Sequence, residues 1–177
     1  MAYERHLFGS AITPNGFVNY LDTIFGNLEK RYIITGNEGT GKSTLLEKVF
    51  RTATNLGYDV EVYHCALIPN KIEHLLIPEL KVGVITSINA HYYEKSKDDV
   101  VIDTSEYLDF RALERFKDDM KEASNRYTSA LERGISYIAR AKSAHDELES
   151  YYAPNMDFNQ IKLYSKQIME RILSYVN

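Results

Sequence analysis

Residues 31–35, Arg31-Tyr32-Ile33-Ile34-Thr35, form a compact β-branched and aromatic run that stops at Gly36. Gly36-Asn37-Glu38-Gly39-Thr40-Gly41-Lys42-Ser43 then match the pattern G-x-x-x-x-G-K-[ST]. Leu45, Leu46, Val49 and Phe50 follow on one helical face until Gly57 ends the pattern, and residues 59–64 alternate as a second strand. Strand, glycine-rich loop, amphipathic helix and strand in that order make a βαβ unit, and its crossover implies a parallel sheet. Two further apolar runs, Val82-Gly83-Val84-Ile85 and Val100-Val101-Ile102, bring the expected sheet to at least four strands. Before the first strand, Thr13-Pro14-Asn15-Gly16 reads as a turn. Phe17, Val18, Tyr20, Leu21, Ile24 and Phe25 read as a short helix ending near Gly26.

Beyond Asp103 the pattern changes. Leu113, Phe116, Met120, Ala123, Tyr127, Ala130, Gly134, Tyr137, Ala141, Ala144, Leu148 and Tyr151 recur in three- and four-residue steps, the period of helix-on-helix packing. Roughly 40 helical residues would reach about 60 Å, so the helix is expected to protrude or to bend, with Gly134 the favoured bend. Pro154 breaks the pattern, Asp157 is placed to cap a new helix, and Phe158, Ile161, Ile168, Ile172 and Val176 form its stripe. The expected organisation is an α/β core over residues 1–106 and a helical hairpin over residues 107–177. Small residues along the first helix would let a partner helix approach closely.

Each residue type in the 36–44 loop answers a need of polyphosphate binding. Glycines turn consecutive backbone N–H groups inward as an anion nest, and the helix starting near Lys42 adds the positive end of its dipole. Lys42 would set an ammonium against β- and γ-phosphates, and Ser43 would offer its hydroxyl to Mg²⁺. Thr44 would face the α-phosphate region or the helix interior. The expected nucleotide-binding set is therefore Gly36, Asn37, Glu38, Gly39, Thr40, Gly41, Lys42, Ser43 and Thr44.

Such sites usually also need a carboxylate at a neighbouring strand end. The 82–85 run ends instead in Thr86-Ser87, whereas Val100-Val101-Ile102 ends in Asp103. Asp103 is the candidate metal-side acid, with capping of the next helix beside Thr104 and Ser105 as the alternative. His64, Cys65 and His91 fall near strand ends, but no paired metal-ligand spacing connects them. Glu73 and Glu79 read as loop acids available to orient a water, or as solvated charges. Arg111 and Arg115, one helical turn apart, would either close over phosphates or line a solvated face.

Composition sets the outer bounds. Hydrophobic residues at 44% and charged residues at 26% exclude disordered and collagen-like classes. A formal charge of −4 with no basic block predicts no broad nucleic-acid binding. Cys65 is the only cysteine, and no apolar leader or spanning stretch is present in the sequence given; a cytoplasmic chain without membrane contact is expected.

Four stretches resemble a known family. They are residues 5–14 (Arg5-His6-Leu7-Phe8-Gly9-Ser10-Ala11-Ile12-Thr13-Pro14), residues 36–44, residues 57–64 (Gly57-Tyr58-Asp59-Val60-Glu61-Val62-Tyr63-His64), and Ala144-His145-Asp146-Glu147-Leu148-Glu149 with Met156-Asp157-Phe158. The family is that of bacterial P-loop ATPases carrying two related P-loop halves in one chain, and nearly the whole chain is similar to the second half. The resemblance implies an ATP- or GTP-binding module excised from a tandem protein, with a second P-loop half as partner; separately, the helical seam would let it close on this chain's own helix or on another copy. In the first half of those proteins an Asp-containing stretch precedes a Pro-His pair. Here Thr86-Ser87-Ile88-Asn89-Ala90-His91 stands there, so only His91 carries over.

The expected fold is thus a parallel-sheet α/β P-loop NTPase, three-layer αβα, with a C-terminal helical hairpin. The expected chemistry is slow Mg²⁺-dependent hydrolysis of ATP or GTP, with Lys42, Asp103 and His91 in the catalytic set and Ser43 and Asp103 on the metal. A small-molecule or nucleotide kinase and a non-catalytic nucleotide-gated module are the alternatives. The guanine-reading N-K-x-D motif is absent.

Overall fold

The computed structural model describes residues 2–88, 93, 94 and 96–176. The chain divides into two compact units, Met1–Ser136 and Tyr137–Asn177. In order the elements are β1 (Glu4–Phe8), β2 (Ser10–Thr13), β3 (Gly16–Asn19), α1 (Leu21–Phe25), β4 (Lys30–Thr35), α2 (Lys42–Asn55), β5 (Val60–His64), β6 (Ile72–Ile77), β7 (Val82–Thr86), β8 (Val100–Asp103), α3 (Phe110–Leu113), α4 (Lys117–Tyr152) and α5 (Phe158–Leu173). Short 3-10 helices lie at Pro78–Leu80, Thr104–Tyr107, Glu114–Phe116 and Ala153–Asn155.

The main sheet has six strands in the order β1-β5-β6-β7-β4-β8. All run parallel except β6, which is antiparallel to both neighbours. The protein is therefore α/β with a mostly parallel sheet, and the connection from β4 through α2 to β5 passes over the β6–β7 hairpin. The four strands read from sequence are present, and β1 and β6 are added to them. Residues 72–77 escape a pattern reading because Glu73 and His74, both buried, interrupt an otherwise apolar strand.

The expected helix from Phe17 is shorter than read. Residues 16–19 pair with residues 10–13 as an antiparallel hairpin, whose turn is closed by Thr13 Oγ1 donating to the Gly16 carbonyl at 2.8 Å. Helix starts only at Leu21. Its buried Leu21 and Phe25 explain the three- and four-residue steps, and turn chemistry overrides that periodicity over residues 17–19.

Alternation along the strands sends consecutive residues to opposite faces. Ile34, Val62 and Val84 join Leu46 and Ala53 of α2 in one apolar cluster. Ile33, Tyr63 and Ile85 join Leu21 and Phe25 of α1 in the other. Each fully buried aliphatic side chain contributes about 1.5–3 kcal/mol of transfer free energy, so these two clusters hold the sheet between its helices.

The helices behave differently. α4 runs for 36 residues without interruption through Gly134, so the helix is not broken there, and neither α4 nor α5 contains a buried residue. Its turn of Ala153–Asn155 carries Pro154, and Asp157 caps α5 by accepting from the N–H groups of Asn159 and Gln160. Among the described residues no helix is long and apolar enough to cross a membrane.

Candidate functional site

β4 delivers the chain to Gly36 at the carboxyl edge of the sheet, between β7 and β8. Gly36 has φ +131°, and a Cβ there would collide with the Thr104 hydroxyl and crowd Thr40. Only glycine fits both the angle and the space. Gly41, at φ +86°, is the N-cap of α2 and supplies no side-chain cap, so the first turn of the helix presents its N–H groups unscreened.

A hydroxyl latch holds this loop against the strand beside it. Thr104 Oγ1 donates to the Thr35 carbonyl at 2.8 Å and lies 2.6 Å from Thr40 Oγ1. Thr40 Oγ1 in turn lies 2.8 Å from the Asn37 carbonyl that it can donate to, and the Asn37 N–H donates to Ser105 Oγ at 3.1 Å. The loop is thereby shaped from two separate stretches of sequence.

Lys42 folds back over the loop. Its Nζ donates to the Gly36 carbonyl at 2.7 Å and to the Asn37 carbonyl at 2.6 Å. Burial pushes its pKa below the ordinary lysine value; the nearby carboxylates Glu38 and Asp103 pull it back up, and Lys71 adds to the lowering. The ammonium is held in place without a carboxylate bonded to it among the described residues.

Asp103 pairs in register with Thr35 across β4 and β8. Its Oδ1 accepts from the Ser105 N–H at 2.9 Å, so the capping role is realised, and the exposed carboxylate also stands in the electrostatic neighbourhood of Lys42. Ser43 is half-buried and its hydroxyl makes no hydrogen bond among the described residues, while Thr44 is exposed rather than turned to the helix interior. Ser43 and one Asp103 oxygen are hard donors of the kind Mg²⁺ takes alongside several waters.

Other residues singled out from the sequence fall elsewhere. His91 lies outside the described residues. His64 Nε2 stands 2.8 Å from His6 Nδ1 on the neighbouring strand β1, which makes His6, and not Cys65, its partner. The Cys65 thiol is raised by burial, with Glu73 among its neighbours. Glu73 is no loop acid: it sits in β6, 8% exposed, and its carbonyl accepts from Thr86 Oγ1. Glu79 is on the 3-10 turn leading into β7, at the sheet edge opposite the glycine loop, and is too far away to orient a water there. Arg115 stacks over Phe116, its guanidinium 4.6 Å from the ring centroid, and Arg111 is exposed on α3. Thr86 and Ser87 are buried, and their hydroxyls bond to backbone: Thr86 as above, and Ser87 Oγ by accepting from the Tyr93 N–H at 3.0 Å.

Among the described residues one three-residue group has metal-ligand spacing, His145, Asp146 and Glu149, all exposed on α4. It is remote in sequence from the glycine loop and is an ordinary arrangement for a charged helix face. The Thr104–Ser105 latch was invisible to motif reading, because its partners lie 64 to 69 residues away. No family model, no curated protein and no solved structure matches the chain.

Proposed function

We propose that this chain is a P-loop nucleotide-binding domain that takes ATP or GTP with Mg²⁺ and hydrolyses the β–γ phosphoanhydride slowly. The observation that carries this is the cradle itself: an uncapped helix start, glycines held at positive φ, and one half-buried ammonium bonded, among the described residues, only to backbone carbonyls. Such an arrangement is complementary to a polyphosphate and to little else. On binding, the Lys42 ammonium exchanges its two carbonyl contacts for phosphate oxygens and neutralises charge developing on the transferred group. Ser43 and Asp103 would hold the metal, which would supply neutralising positive charge to the phosphate. Asp103 retains its cap on Ser105 with one oxygen and leaves the other for the metal's water shell.

Hydrolysis at a slow rate is favoured because, among the described residues, the acids at the cradle, Glu38 and Asp103, are both exposed, and the hydroxyls at the end of β7 are committed to backbone bonds. The test is a pair of measurements on the intact chain. Mg·ATP or Mg·GTP is expected to raise the melting temperature, and labelled γ-phosphate is expected to appear on water. No thermal protection by either nucleotide would defeat the binding proposal. Label transferred to an added small-molecule acceptor would convert the hydrolase into a kinase.

A further inference from the structure

Lys71 ends the loop between β5 and β6. That loop is pinned at its neck, where the Cys65 N–H donates to the Lys71 carbonyl at 3.0 Å and the Lys71 N–H donates to the Ile68 carbonyl at 2.9 Å. Because β6 runs against its neighbours, its first residue, Ile72, lies at the same carboxyl edge to which β4 brings the glycine loop. Two strand spacings, about 9.6 Å, separate β6 from β4. Ile72 belongs to the apolar cluster that contains Leu46 of α2, so the neck is fixed against the helix that Lys42 begins.

Lys71 itself is exposed, and among the described residues its ammonium makes neither an ion pair nor a hydrogen bond. It follows β5 and precedes β6 at the same sheet edge as the glycine loop. Cations on separate elements at one sheet edge add to the local positive potential that a polyanion meets there. The cradle then has an acid, Asp103, on its β8 flank and a free cation on its β6 flank. A metal-bound triphosphate has the matching polarity, with a cation on one side of its terminal phosphate and unneutralised oxygens on the other.

We propose that Lys71 is a second phosphate-binding residue of this site, contacting the terminal phosphate of the triphosphate from the flank opposite Asp103 and so setting preference for triphosphate over diphosphate. This rests on the nucleotide-binding proposal above, and the experiment separates the two. Dissociation constants for Mg·ATP and Mg·ADP are measured on the full chain, on Lys71→Ala and on Lys71→Arg. Lys71→Ala is expected to weaken ATP binding roughly tenfold while ADP stays within about twofold, and Lys71→Arg to restore much of the ATP affinity. As an exposed residue, Lys71 is expected to leave the melting temperature of the free protein unchanged when replaced.

An ATP-to-ADP ratio unaltered by Lys71→Ala would overturn the role of Lys71 and leave nucleotide binding standing. Equal losses for ATP and ADP would overturn the terminal-phosphate assignment in favour of a general charge effect. A parent chain that binds neither nucleotide would remove the nucleotide-binding proposal, and this one with it.

Discussion

α2 and α5 are amphipathic helices of similar length, 14 and 16 residues, yet they have opposite fates. Leu46 of α2 is fully buried, whereas Ile161, Ile168 and Ile172 of α5 stay 49%, 58% and 48% exposed. The apolar stripe is as regular in α5 as in α2. What α2 has in addition is a sheet face whose own apolar residues, Ile34, Val62 and Val84, require a cover. Periodicity therefore specifies helix, but burial is specified by what the neighbouring elements leave uncovered. The candidate site follows the same division, since α2 can hold its N-terminus rigidly at the glycine loop only because its far side is anchored in the core.

The largest effect should separate the two helices outright. Leu46→Ala is expected to lower stability by about 2–5 kcal/mol in urea unfolding, and Ile168→Ala by less than about 1 kcal/mol. Equal losses would mean that the α5 stripe is buried in solution, and the contrast would fall.

Lys42→Ala divides binding from folding. Nucleotide affinity should drop on the order of 100-fold, whereas stability should change by about 1 kcal/mol, because the lost bonds run to two carbonyls that water can satisfy. A loss of stability as large as that of Leu46→Ala would make Lys42 part of the core after all. Thr104→Val keeps the shape of the side chain but removes the hydroxyl serving Thr35 and Thr40. It should cost about 1–3 kcal/mol and weaken nucleotide binding as well, read by melting and by titration of the same sample. Asp157→Ala is expected to cost about 1 kcal/mol, visible as earlier loss of helical circular dichroism with nucleotide affinity intact.

The smallest effect concerns pH. Because burial lowers the Lys42 pKa, the free protein should give up this proton below the ordinary lysine value of 10.5. Bound phosphate favours the charged form, so affinity should fall as pH rises through the free-protein pKa, with proton uptake on binding in that range. Affinity flat across the alkaline range would sever Lys42 from the phosphates.

The glycine loop was legible in the sequence because every residue it needs is contiguous and flanked by an unambiguous strand and helix. The cap at Asp157 and the cap at Asp103 were legible for the same local reason. Three features were not. β1 carries Glu4, Arg5 and His6 on an exposed edge strand, so no alternation marks it. β6 hides buried Glu73 and His74 in an apolar run, and buried polar residues mimic a loop when their partners are unknown. The latch from Thr104 and Ser105 depends on β8 pairing beside β4, a tertiary fact that no local pattern encodes. Gly134, read as the favoured bend, stays helical within α4, since one glycine costs a helix only about 1 kcal/mol.

Isothermal titration of Mg·ATP and of Mg·GTP into the intact chain, with Lys42→Ala as the paired sample, tests the polyphosphate cradle most directly. The expected result is a saturable isotherm for at least one nucleotide with the parent chain and none at the same concentrations with the variant. No heat from either nucleotide with the parent, or superimposable isotherms for the two proteins, would contradict it.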